Sequence, residues 1–156
     1  MPTPSLPPYG YVDQPTLQCI AEAAVRYTVP ELLLHSILLT ENGTPGKCSR
    51  NKNGTLDCGL TQINSSHYPS LLSKYGITPS QIAYDNCTNV MISSYIIKSN
   101  YLKKQQDWTK AIIAYNIGPY ATNPKTIQIG HAYASKVIKR WHQLYAYSQQ
   151  YTRTTP

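Results

Sequence analysis

The sequence predicts a mainly α-helical single domain with one small β-hairpin after its second helix. Three observations predict it. Apolar residues recur three and four positions apart through most of the chain, the mark of helices with one buried stripe. Proline, Asp, Thr and Gly sit where such helices start and stop. The one long stretch without that period, Thr44 to Asp57, is rich in Gly, Asn, Lys and Ser and carries Asn53-Gly54, a strong two-residue hairpin signal. At 156 residues the chain has room for one ordinary core and none for a second full domain.

Residues 1–12 hold four prolines and read as an extended arm, because proline fixes φ and removes backbone donors. Asp13 caps a helix entered near Pro15, with Leu17, Ile20, Ala21 and Ala24 on its apolar stripe and Gln18, Glu22 and Arg26 left to water. Pro30 opens the second helix, whose stripe is Leu33, Leu34, Ile37 and Leu38. It should stop at Asn42-Gly43, with Gly43 taking the left-handed conformation, so that Glu41 lies on its last turn. After the hairpin come a short helix around Pro69 to Lys74 ending at Gly76, and a Thr78-Pro79-Ser80-Gln81 capping box. A long helix then runs from Asp85 or Asn86 to about Lys104, with Val90, Tyr95 and Ile96 facing inward. Asp107 caps the next, carrying Trp108, Ala111, Ile112 and Tyr115 and ending at Gly118-Pro119. The last clear helix spans about Gln128 to Tyr147, with Ala134, Val137, Ile138, Trp141, Leu144 and Tyr145 as its stripe, and 149–156 reads as a tail.

Composition narrows the function. Hydrophobic residues at 41% and charged residues at 13% exclude a disordered polyelectrolyte. The run Leu32-Leu33-Leu34 is cut at once by His35-Ser36, and no segment approaches the roughly 20 apolar residues of a membrane-spanning helix. Fourteen Tyr, two Trp and no Phe supply ring volume that comes with a hydroxyl, which suits a carbohydrate groove. A net charge of +7 favours acidic partners. The basic residues are scattered without a stacked aromatic ladder, so an acidic cell wall or anionic surface is expected rather than nucleic acid. The opening residues contain no apolar leader core, and the chain reads as a mature form behind an added initiator Met.

The four cysteines, Cys19, Cys48, Cys58 and Cys87, form no C-x-x-C pair, and the four histidines lack zinc-site spacing, so no metal or other cofactor is expected. An even count in a small basic chain fits an oxidising compartment, where Cys48 and Cys58 can close a short loop and Cys19 and Cys87 can tie two helices. The alternative is four buried free thiols.

Seven carboxylates exist, and two frame the hairpin: Glu41 at its entrance and Asp57 at its exit, 16 positions apart. A hairpin folds its ends together, so both can face one cleft. Glycoside cleavage needs a carboxylic acid held protonated near neutral pH by an apolar site. Glu41, following Ile37-Leu38-Leu39-Thr40, meets that need. A solvated glutamate at a helix end is the plain alternative.

Directly after Asp57-Cys58 stands Gly59-Leu60-Thr61-Gln62-Ile63-Asn64, and about fifty residues on stands Ala114-Tyr115-Asn116-Ile117-Gly118-Pro119. With Glu41, these two runs resemble in order and spacing the three signatures of the soluble lytic transglycosylase (SLT) domain. The nearest-looking branch is the small periplasmic enzymes of type IV secretion, conjugation, pilus and type III secretion systems. The likeness covers roughly Pro15 to Tyr120. Asn42 and Thr61 stand where the family usually has Ser and Met, and both are small or polar enough to line a groove. Residues 51–64 also resemble the active-site hairpin of animal-type lysozymes, which carries a second carboxylate at the place of Asp57.

The resemblance implies a lysozyme-like, goose-type fold for residues 13–148 and cleavage of the β-1,4 link between N-acetylmuramic acid and N-acetylglucosamine with formation of a 1,6-anhydro ring. It implies Glu41 as general acid and then base, Gln62 and Asn64 as sugar-binding residues, Tyr115 with its hydroxyl near Glu41, and Asn116 holding its loop, while the lysozyme likeness implies Asp57 as a second catalytic carboxylate. A core aromatic at Tyr115 and a hairpin residue bonded to backbone amides at Asp57 are the plain alternatives. It also implies the pairings Cys48–Cys58 and Cys19–Cys87, the second joining helices that the family fold packs side by side. Glycan strands of peptidoglycan, components of a secretion, conjugation or pilus apparatus, a periplasmic or secreted location and a monomeric state are expected. Two other readings stand beside it: a hydrolytic muramidase using Glu41 and Asp57 with water as acceptor, and a wall-binding assembly factor without turnover.

Overall fold

The computed structural model describes residues 12–154, with side chains described to residue 150. The arm expected over 1–12 therefore lies, but for Val12, outside the described residues. The architecture is helical, with one small sheet between the second and third helices: α1 (Gln14–Tyr27), α2 (Glu31–Glu41), β1 (Cys48–Arg50), β2 (Leu56–Cys58), β3 (Ile63–Asn64), a 3₁₀ turn (Ser65–His67), α3 (Tyr68–Tyr75), α4 (Pro79–Tyr84), α5 (Asn86–Lys103), α6 (Trp108–Ile117) and α7 (Pro124–Thr154).

Local chemistry sets the ends of these helices. Asp13 accepts from the Thr16 amide, Asp85 from Thr88 and Asp107 from Lys110, each satisfying one orphan donor of a first turn. Thr78 and Gln81 form the expected reciprocal capping box. The end of α2 differs from expectation: Asn42, not Gly43, takes the left-handed conformation (φ 51°, ψ 38°), and its amide donates to the Leu38 carbonyl. Asn tolerates this region better than most residues. Gly43 is needed for another reason, close approach: a Cβ there would collide with the Gly59 carbonyl oxygen.

Helix α2 is the centre of the molecule. Six consecutive residues, Leu33 to Leu38, are buried, as befits a helix that is apolar nearly all round. It packs on α7 and α1, while α5 packs on α1 and α6. Ile20, Leu33, Leu34, Ile37, Val90, Ile97, Ile112 and Val137 share one core cluster. A second cluster of Ile63, Leu71, Ile82, Ile92 and Ile96 fixes the sheet and the short helices against α5. Among the described residues no helix is long and apolar enough to cross a membrane.

The hairpin is present and gains a third strand, giving an antiparallel sheet in the order β1-β2-β3. Asp57 pairs with Ser49 on one side and Asn64 on the other. The reversal takes residues 51–55 rather than a two-residue turn: the Asn51 amide donates to the Thr55 carbonyl, the Gly54 amide to the Asn51 carbonyl, and Asn53 Oδ1 accepts from both the amide and the hydroxyl of Thr55. Cys48 is bonded to Cys58 across the β1–β2 pair, and Cys19 on α1 to Cys87 on α5.

Three further expectations need correction. Tyr95 faces outward, 38% exposed, with its ring edge-on to Tyr27 and Tyr75. Tyr145 is likewise exposed, one position off the stripe that Leu144 occupies. The final helix starts at Pro124 and continues through Thr154, longer at both ends than expected, and Leu144 on it packs against Leu17, Leu32, Leu39 and Tyr147.

Candidate active site

A cleft of about 470 Å³ opens between the sheet and helices α2, α5, α6 and α7, and Glu41, Asp57, Gln62, Asn64, Tyr115 and Asn116 all line it. All six side chains singled out in the sequence thus reach one cavity. They play different parts in it.

Glu41 ends α2, where burial pushes its carboxyl up to about 7; the negative charge of Asp57 adds to the rise and the Tyr133 hydroxyl opposes it. An acid half protonated at neutral pH can both give and take a proton there. The two residues after it set its position: the Asn42 amide bonds back to Leu38 at 2.8 Å, and the Gly43 amide donates to the Leu60 carbonyl at 3.2 Å. That second bond docks the end of α2 directly on the Gly59–Gln62 turn.

Asp57 is held by side-chain amides. Asn51 Nδ2 donates to its Oδ2 at 3.0 Å and Asn64 Nδ2 to its Oδ1 at 2.8 Å, while the same two amides each donate a further bond to Thr55 Oγ1 at 3.0 Å. Asn64 Oδ1 accepts from the Ser66 amide. The Asn64 amide is therefore spent on the protein, and it orients Asp57 instead of standing free for a sugar. Gln62, in a left-handed conformation (φ 55°), accepts from Ser49 Oγ at 2.8 Å and donates to the Gly59 carbonyl at 3.0 Å, leaving one amide hydrogen unassigned.

Tyr115 donates its hydroxyl proton to the Thr61 carbonyl at 2.9 Å, so Ser93, 3.0 Å away, must donate to the tyrosine oxygen. Its phenol is pushed up by burial and, second, by the charge of Glu41. The hydroxyl feels Glu41 but is bonded elsewhere, making Tyr115 a strut between α6 and the 59–62 turn. Thr61 is fully buried and donates to Asn89 Oδ1 at 2.6 Å, and Asn42 lines a separate surface hollow, so neither substitution in the family pattern borders the groove as expected. Asn116 is an exposed residue of the cleft wall at the end of α6.

The residue that the sequence reading missed is Tyr133, on α7. Its hydroxyl is buried and reaches no acceptor at ordinary hydrogen-bond geometry, yet it acts on Glu41, holding that carboxyl lower than burial alone would. Contacts of this kind tighten when charge develops. The phenol itself is pushed far up by burial and by Glu41. A signal was available: Tyr133 lies at helical spacing from Val137 and Gly130, on the same buried stripe.

Residues 18–138 match the family model described as "Transglycosylase SLT domain". The chain is similar to "Invasion protein IagB" of Salmonella typhimurium (strain SL1344), 32% identical over 127 residues that cover 81% of this chain and 76% of that protein. It is similar to "Protein IpgF" of Shigella flexneri, 29% identical over 136 residues covering 86% of each. "X polypeptide" of Escherichia coli is 33% identical over 81 residues, 52% of this chain and 46% of the relative.

Proposed function

From the premise that this chain belongs to the transglycosylase SLT domain family, which gives it a lytic-transglycosylase-like function on peptidoglycan, we propose that it is an active enzyme. It cleaves the β-1,4 bond between N-acetylmuramic acid and N-acetylglucosamine and leaves 1,6-anhydromuramic ends. The observation that carries the proposal is Glu41: an acid raised to about 7, in a cleft that also holds Asp57, Gln62 and Tyr115.

Protonated Glu41 gives its proton to the glycosidic oxygen as the bond to the muramic C1 breaks. Positive charge developing at C1 is stabilised by the Asp57 carboxylate, already oriented by Asn51 and Asn64. Glu41, now ionised, takes the proton from the C6 hydroxyl as that oxygen bonds to C1, closing the anhydro ring and returning the enzyme to its starting state. The Tyr133 hydroxyl supports the ionised intermediate state of Glu41. No cofactor is required by this route.

Mass spectrometry of muropeptides released from purified sacculi tests the reading: anhydromuramic ends are expected. Asp57 in the same cleft also supports a hydrolytic muramidase with water as acceptor, which would leave reducing muramic ends instead. A pure wall-binding factor would release nothing, and it has no use for an acid that burial raises to about 7.

The biological setting we propose is local opening of the wall for a secretion, conjugation or pilus apparatus, in the periplasm or outside the cell. Similarity to a protein named for invasion fits that setting, and two disulfides suit an oxidising compartment.

A further inference from the structure

One stretch of the cleft wall takes no part in the proton chemistry. Asn100, near the end of α5, is 4% exposed and lines the cleft, and its Nδ2 is sealed from solvent with no hydrogen-bond partner. A buried donor left unpaired is costly, and native folds keep few of them. The Asn100 side chain borders the cleft, and its last torsion, broad for Asn, is the one that would have to turn for this donor to meet a ligand there.

Lys103 stands three positions further on the same helix and therefore on the same face. Its Nζ lies 5.9 Å from the ring centroid of Tyr120, the residue after Pro119 of the cleft wall. His67, also on the wall, has its pKa lowered by burial and, second, by the Lys103 charge, which places the ammonium beside the same stretch. A desolvated amide donor and a nearby cation select an acceptor that carries negative charge.

We propose that the Asn100 amide and the Lys103 ammonium form a subsite for a carboxylate of the substrate. Resting on the peptidoglycan reading above, that carboxylate belongs to the lactyl branch of the muramic sugar, either on the peptide attached there or on the lactyl group itself when the peptide is absent. The site thus reads the branch, while Glu41 and Asp57 act on the backbone. Sites built to bond a polar group discriminate strongly against ligands that lack it.

The test is equilibrium binding to the Glu41→Gln protein of three glycan strands of equal length: with peptides bearing free carboxylates, with those carboxylates amidated, and with the peptides removed. The amidated strand should bind roughly 10-fold more weakly than the free-carboxylate strand, the size of one hydrogen bond to a charged group. Asn100→Leu and, independently, Lys103→Gln at the exposed end of the pair should each shrink that ratio toward one. If the peptide supplies the carboxylate, peptide-free strands bind as weakly as the amidated ones; if the lactyl group supplies it, free and amidated strands bind alike and the peptide-free strand alone binds tightly. Equal binding of all three strands, or a preference that survives both substitutions, overturns the subsite. Because nothing is turned over, failure of the wild-type enzyme to cut any strand would remove the proposed activity and leave this comparison standing.

Discussion

The Tyr115 hydroxyl and the Thr61 carbonyl oxygen are 2.9 Å apart across 54 positions of sequence, and this bond joins α6 to the turn that follows the sheet. It makes Tyr115 a structural member of the site. Tyr115→Phe leaves the Thr61 carbonyl and the Ser93 hydroxyl short of a partner, so it should cost about 1–3 kcal/mol of stability. Chemical denaturation reads that loss directly. An unchanged midpoint with activity abolished would instead put the hydroxyl in the reaction.

Glu41→Gln should keep the fold and lower turnover on sacculi by at least about 100-fold, because the amide cannot exchange a proton near neutral pH. The same substitution should stabilise the protein at high pH. Glu41 rises from 4.5 to about 7 on folding, so between those values the native state binds more protons than the unfolded one and stability falls as pH rises. The penalty is complete above pH 7. Thermal melts should show a larger gain for Glu41→Gln at pH 8 than at pH 5; equal gains would contradict the raised pKa.

Asp57→Asn should slow the reaction about 10 to 100-fold while products stay anhydro, as expected for one electrostatic contribution to a transition state. The new amide also brings donors against the Asn51 and Asn64 amides that now bond the carboxylate. A loss of several powers of ten, with reducing ends from the wild type, would assign Asp57 to a hydrolase.

Tyr133→Phe removes the group that holds Glu41 down, so the Glu41 pKa should move above about 7. The high-pH limb of the kcat/KM profile, where the acid must be protonated, should shift upward with it. A limb that stays in place would separate Tyr133 from Glu41.

Loss of the Cys19–Cys87 bond by paired Ser substitution should cost about 4 kcal/mol and loss of Cys48–Cys58 about 3, since the first closes the longer loop. Urea midpoints of the two double variants rank them. The reverse order would mean that local strain or denatured-state structure outweighs loop length.

Most of the helical frame was legible because its signals are local: Asp13, Asp85 and Asp107 cap where capping chemistry says, and Thr78 with Gln81 forms its box. What was not legible depends on neighbours distant in sequence. Tyr95 sits at helical spacing for the core, but Tyr27 and Tyr75 give its ring partners at the surface. The burial of Leu144 on α7 depends on Leu17, Leu32 and Leu39, far back in the chain. In the site, Glu41 could be found from its apolar approach, whereas the occupation of the Asn64 amide by Asp57, Thr55 and Ser66 depends on a strand pairing that no local pattern announces. Tyr133 lay on a readable stripe, and its meaning came only from α7 crossing α2.

The carbonyl of Gly59 occupies the space where any side chain at position 43 would begin. That contact lies two positions from Glu41, so the location of the acid is fixed by a vacancy as much as by any bond. A library that varied this position would return glycine alone, and a designer wishing to shift the acid along the groove would have to rebuild the 59–62 turn first. The place of that carboxyl is, in that sense, written in a missing methyl group.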